Sequence, residues 1–110
     1  MAGGRVFWVI RFFNLLSILY IFKMYKVSLT KKAEKNLKSL PPVVSRKFAL
    51  LLRELKALGP IRANWQNYSK LGVNKYHCHI NYNWVACWEE TETGVKIEVY
   101  YVGSRESAPY

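Results

Sequence analysis

The chain is 110 residues long, carries 17 Lys and Arg against 7 acidic residues, and has a formal net charge of +10. That length builds one small domain with a modest core and excludes a second, while the charge points to a polyanionic partner, either nucleic acid or an anionic membrane surface. Two cysteines with no cleavable signal exclude a disulfide-stapled secreted scaffold and imply free thiols in a reducing compartment, here read as the cytoplasm.

Residues 1–23 read differently from the rest. From Val6 to Phe22 only Arg11, Asn14 and Ser17 interrupt an apolar run, and a central arginine costs about 2.5–3.5 kcal/mol on insertion scales. The segment also lacks a small-residue cleavage site near Tyr20. The expectation is an apolar extension outside the working domain, with Met24 as the true start and residues 24–110 as the domain. A membrane enters only if residues 6–22 are retained as an anchor.

Tyr25 to Leu29 alternates as a strand, and Thr30 suits a helix N-cap before Ala33, Leu37 and Leu40 at helical spacing. Pro41-Pro42 stops this helix and starts another. Val44, Phe48, Leu51, Leu52, Leu55 and Leu58 form the apolar stripe of the second, which Gly59-Pro60 ends. The outer faces of the two helices carry many cations, among them Lys31, Lys35 and Lys47.

Ala63 to Tyr68 predicts a short edge strand, and Lys70-Leu71-Gly72 a turn. Lys75 to Ile80 and Trp84 to Glu90 then flank Asn81-Tyr82-Asn83 as a hairpin. Pairing Ile80 with Trp84 sets Tyr76 opposite Trp88, Cys78 opposite Ala86, His79 opposite Val85 and Lys75 opposite Glu89. It also sends both tryptophans to the core. Thr91 to Gly94 turns into a last strand, Val95 to Val102, with Val95, Ile97, Val99 and Tyr101 facing the core. The predicted architecture is α+β: a β-α-α-β-β-β order, with an antiparallel sheet covered on one face by a two-helix hairpin and open on the other.

The open face holds the most informative stretch, Lys75 to Ile80, KYHCHI. Alternation puts Lys75, His77 and His79 together, with Lys96, Glu98 and Tyr100 beside them. The imidazoles are the only two in the chain and stand about 6.5–7 Å apart in an extended strand, so one ring fits on each side of a phosphate. That suits acid–base chemistry on RNA. Cys78 falls on the opposite face from both histidines, which argues against a zinc site.

The element order, KYHCHI, VACWEE and the ending IEVYYVGSRESAPY together resemble the RelE/ParE superfamily of toxins from bacterial and archaeal toxin–antitoxin pairs. Within it, the RelE-type mRNA interferases, including the HigB-like branch, are the most similar. The resemblance covers Tyr25 to Tyr110 and implies a RelE-like fold. It implies a ribosome-dependent endoribonuclease that needs no metal or other cofactor: the 2′-hydroxyl attacks the adjacent phosphate and leaves a 2′,3′-cyclic phosphate. His77 and His79 lie where RelE carries lysines, Arg105 matches a phosphate-contacting arginine after the last strand's glycine, and Tyr110 matches a C-terminal tyrosine. These four are the implied catalytic residues. Lys70, Lys75 and Tyr100, with Lys31, Lys35 and Lys47 on the helices, are the implied RNA contacts, and Glu89 joins the site by its facing. The implied partners are a cognate antitoxin, mRNA and ribosomal RNA. The chain departs from RelE at Val85, where that toxin has an arginine that stabilises transition-state charge. Two other readings stay open: a ParE-like gyrase inhibitor, against which the His77, His79 and Arg105 cluster argues, and a non-catalytic basic RNA- or ribosome-binding module, which Val85 favours.

Overall fold

The computed structural model describes residues 24–110, and the expectations for residues 1–23, including any anchor, lie outside the described residues. Strand β1 (Lys26–Leu29) leads into α1 (Lys31–Leu37) through Thr30, whose Oγ1 accepts from the Ala33 N–H at 3.1 Å as the expected N-cap. Proline then fixes the next start: Pro41 and Pro42 open α2 (Pro42–Leu58) without a side-chain cap. Gly59 ends it at φ 93°, and a Cβ there would meet the Tyr25 ring at 3.0 Å, so glycine is required both by its dihedral and by close packing. Among the described residues, no helix is long and apolar enough to cross a membrane.

The α2 stripe buries Val44, Phe48, Leu51 and Leu55 against the sheet, with Leu52 partly covered. Leu58, expected in that stripe, is instead 62% exposed in the last turn of α2.

Four further strands follow: β2 (Gln66–Lys70), β3 (Lys75–Asn81), β4 (Trp84–Glu92) and β5 (Lys96–Ser104). They form one five-stranded sheet in the order β1-β5-β4-β3-β2. Every pairing is antiparallel except β1 with β5, which is parallel. The α+β class and the two helices on one face match the expectation. The edge strand lies later than Ala63–Tyr68, so Lys70 belongs to β2 and not to a turn.

The β3–β4 register agrees with the sequence at Lys75–Glu89, Tyr76–Trp88, Cys78–Ala86 and His79–Val85. A bulge at Ile80 then pairs Trp84 with Asn81 instead of Ile80. A second bulge changes β5. Cys87 pairs with Tyr101 but the adjacent Trp88 pairs with Val99, leaving Tyr100 as the extra residue. Alternation slips there, so Tyr101 joins Val85 and Cys87 on the face away from the helices, and Val102 takes the core position. Tyr101 was expected on the helix side, and the bulge is the physical reason it is not. Val95 precedes the strand and is half-buried.

Tyr68, Tyr76 and Trp88 pack as a triangle on the helix side of the sheet, with each pair of ring centroids 6.1–6.3 Å apart. The Trp88 indole N–H donates to the Pro60 carbonyl at 3.0 Å, which removes the cost of burying that donor. Cys78 lies in this core and Cys87 in the opposite cluster, both as free, fully buried thiols.

Candidate active site

His77 and His79 point from β3 to the face away from the helices, 6.1 Å apart between ring centroids. The neighbouring strand fixes both rings. Ser69, paired with His77, places its Oγ 2.9 Å from His77 Nδ1. A bulge between Gln66 and Ser69, with Asn67 in the left-handed region at φ 51°, turns the Asn67 amide toward His79, and its Nδ2 lies 3.4 Å from His79 Nδ1. That contact fixes the position of the ring, and which groups donate and accept follows from the His79 tautomer. Asparagine tolerates the left-handed conformation that this contact needs.

The face is not open. After β5 the chain turns through a 3-10 segment, Arg105–Ser107, capped by Ser104 Oγ. The Arg105 N–H donates to the Asn83 carbonyl at 2.8 Å and so ties the tail to the β3–β4 turn. Ala108 then packs on Val85, Cys87 and Tyr101, and the Tyr110 ring rests on His77 with centroids 4.4 Å apart. His77 and His79 are each only 8% exposed, and Val85 and Cys87 are fully buried. The expectation of an uncovered polar face is corrected accordingly: the returning tail supplies its cover.

Burial dominates the electrostatics. It lowers the pKa of His77, with the charge of His79 adding to the shift and Ser69 opposing it. Burial likewise lowers His79, and the Arg105 guanidinium adds to that shift. Both rings are therefore predominantly neutral at pH 7. Tyr110 moves the other way: burial raises its pKa, so its phenol keeps its proton. Burial pushes Cys87 up to about 12, which leaves a protonated, unreactive thiol opposite His77.

The remaining candidates are spread over the molecule. The Arg105 guanidinium stacks on Tyr82 at 5.0 Å, beyond the His79 end of β3. Lys75 lies over the Tyr100 ring at 5.7 Å, next to Glu89 across the ladder, and burial pushes Tyr100 up to about 12. Lys70 pairs with Tyr76 and sits over its ring at 5.8 Å, which directs it to the helix side of the sheet, away from the imidazoles. Lys31 and Lys35 are exposed on α1. Lys47 on α2 lines a groove that His79 also lines. Among the described residues no group of three or more His, Cys, Asp or Glu is placed to hold a metal ion.

Three contributors escaped the sequence reading: Ser69, Asn67 and Tyr82. Ser69 and Asn67 were legible only if the edge strand ran to Lys70, because alternation then aims them at the histidines. Nothing in the sequence marks Tyr82 as the platform for Arg105.

Comparison with solved structures gives the fold its name. The chain superimposes on the archaeal RelE of the RelE–RelB complex from Pyrococcus horikoshii with a TM-score of 0.61 at 18% identity, over 77% of this chain and 99% of that one. It superimposes on a YoeB/ParE toxin from Agrobacterium tumefaciens with a TM-score of 0.61 at 14% identity, over 73% and 98%. The toxin–antitoxin complex RelBE2 from Mycobacterium tuberculosis gives 0.51 at 18%, over 74% and 99%. The chain has the RelE-type toxin fold. Neither a family model nor a curated protein matches its sequence. The RelE-type fold thus persists here at identities of 14–18%.

Proposed function

We propose that this chain is the toxin of a toxin–antitoxin pair and acts in the cytoplasm as a ribosome-dependent endoribonuclease that cuts translated messenger RNA. The observation that carries the reading is the pair of depressed, mostly neutral imidazoles 6.1 Å apart, each held at Nδ1 by β2, with the protonated Tyr110 resting on one of them. The fold shared with RelE and YoeB supports it.

The chemistry follows from those groups. Neutral His79 takes the proton of a ribose 2′-hydroxyl as the 2′-oxygen attacks the adjacent phosphorus. The P–O5′ bond breaks, and the departing 5′-oxygen receives a proton from Tyr110, which His77 holds over the sheet. The products are a 2′,3′-cyclic phosphate and a free 5′-hydroxyl. Arg105, with Lys75 on the same face, offsets the charge that accumulates on phosphate oxygens. Val85 cannot take this part, because it lies fully buried under the tail. The basic surface, with Lys31, Lys35 and Lys47, faces ribosomal RNA, and an antitoxin with acidic segments neutralises it between encounters.

The test is induction of the chain in a bacterial host without a partner, with messenger 5′ ends mapped alongside growth. Arrest with cuts at fixed positions in translated codons is expected, and His79→Ala should slow cutting by about 10²–10⁴-fold. A second reading has one observation in its favour. Both imidazoles are 8% exposed, as they would be in a non-catalytic ribosome-binding module, and arrest without cuts would establish that reading instead.

A further inference from the structure

The turn between β3 and β4 carries one large aromatic side chain that the proposed reaction does not use. Tyr82 stands 68% exposed between Asn81 and Asn83. Burial does not account for an aromatic ring there, and the turn itself asks only for residues such as its two asparagines.

The backbone around the ring is braced on both sides. Asn81 Oδ1 accepts from the Asn83 N–H at 3.1 Å, and the Asn83 carbonyl accepts from the Arg105 N–H at 2.8 Å. The second bond fixes Arg105 beside the turn, and its guanidinium carbon lies 5.0 Å from the centre of the Tyr82 ring. Among the described residues the guanidinium has no carboxylate partner; the ion pairs are Arg62 with Glu54 and Lys96 with Glu92. An arginine without such a partner samples many rotamers. An aromatic ring limits that sampling and leaves the N–H donors available to an anion.

The guanidinium also acts on an imidazole. Burial lowers the His79 pKa first, and the Arg105 charge adds to that shift. Around the His79 ring stand Gln66 and Asn67 on β2, His77 on β3 and Val85 on β4. Tyr110 lies over His77, and Lys47 and Glu54 line the groove that His79 also lines. Of these and Arg105, Arg105 is the charged neighbour that moves the His79 titration, so the place of the guanidinium can be read there. His77 answers to burial, His79 and Ser69 instead.

We propose that Tyr82 is a positioning residue: its ring holds the Arg105 guanidinium at the His79 end of the site, with N–H donors available to a phosphate oxygen of the RNA strand. Its effect on the phosphate rests on the nuclease reading, whereas its hold on Arg105 does not.

The ring resonances of His77 and His79 are titrated with pH in the full chain. Arg105→Gln removes the charge and should raise the His79 midpoint. Tyr82→Ala, at an exposed position, should raise it in the same direction without a rise at His77. Adding Arg105→Gln to Tyr82→Ala should then raise it by less than Arg105→Gln does alone. Tyr82→Phe keeps the aromatic face and should keep the wild-type midpoint. A merely structural Tyr82 would behave differently, because a loosened tail exposes both rings and both midpoints would rise together. That outcome overturns the positioning role. So does a His79 midpoint that stays put in Tyr82→Ala or in Arg105→Gln, rises equally in Tyr82→Phe, or shifts additively in the double variant. In cells, Tyr82→Ala should slow His79-dependent cutting by about 2–10-fold, the cost of ordering one long side chain. Unchanged cutting in that variant would overturn the phosphate role alone. Absence of cutting by the wild type overturns the nuclease reading, and the His79 midpoints then still decide whether Tyr82 places Arg105.

Discussion

At the scale of single residues, the two imidazoles set the electrostatics of the candidate site. Burial is the first cause of both depressed pKa values, so the folded state favours the neutral rings and the unfolded chain titrates near 6.5. As pH falls through 6.5 toward the lower folded values, the unfolded chain binds protons first and stability is lost. Above 6.5 neither ring contributes a slope. The melting temperature should therefore fall between pH 7 and pH 5, and a His77→Asn, His79→Asn double variant should show a flatter dependence over that range. Thermal melts at fixed ionic strength decide it, and an unchanged slope in the double variant would remove burial of the rings as the cause. The same depression keeps a neutral base available under mildly acidic conditions, so the acid limb of cutting should lie below 6.5. Val85 shows how one position redirects the others. Where the resemblance to RelE implies an arginine, this chain carries an apolar side chain that packs with Cys87, Tyr101 and Ala108. An unpaired guanidinium at that depth would cost more than it returns, so in the proposed reaction the cation is Arg105 at the rim.

At the scale of elements, the helices and the β3–β4 hairpin were legible because each obeys one period throughout. Thr30, Pro42 and Gly59 mark helix ends by capping chemistry, and Tyr76, Cys78, Trp88 and Ala86 take their faces by strict alternation. The histidine pair on β3 was legible for the same reason. Within the sheet, the misplaced side chains lie at or beyond a bulge. Tyr100 is the extra residue that moves Tyr101 to the other face, and the irregularity at Asn67 hides β2 from a period-2 search while aiming Asn67 at His79. A bulge leaves little mark in composition, because the neighbouring ladder and packing decide it. The tail was hidden for another reason: its contacts to Asn83, Val85 and His77 are non-local and carry no periodicity. One loop is held by a contact of comparable reach. Glu54 on α2 gathers Arg62, Asn64 and Trp65 and so pins the segment that leads into β2. Burial opposes its ionisation, but the three donors outweigh burial and hold the carboxyl below its usual range. Glu54→Ala leaves the donors unmatched and should cost about 1–3 kcal/mol. Because β2 holds both imidazoles, it should also loosen them, which would appear in denaturant melts and in broadened His77 and His79 ring resonances.

For the molecule as a whole, one face of the sheet belongs to the helices and the other to the last six residues. The tail is tied at its start by the Arg105 N–H to the Asn83 carbonyl and at its end by Tyr110 on His77, with Ala108 between them over Val85 and Cys87. That arrangement seals a small apolar cluster with the same segment that carries Arg105 onto Tyr82 and Tyr110 onto His77. The two thiols report on it independently. Cys78 lies under the helices and Cys87 under the tail, and burial pushes each up to about 12. Ending the chain at Ser104 uncovers Cys87 while leaving Cys78 in its core. The thiol of Cys87 should then return toward its ordinary range and react with a soluble alkylating reagent, because the thiolate is the nucleophile and access is restored. Lost burial of Val85 should lower stability by about 1–3 kcal/mol, and cutting should vanish with Arg105 and Tyr110. Mass mapping of labelled peptides separates the alternatives. Label on Cys87 alone identifies the tail as a removable cover, whereas label on both thiols would mean that the core opens with it and that the two faces of the sheet are not independent. Full protection of both would show that the cluster needs no tail, and the burial of His77 and His79 would then require another source.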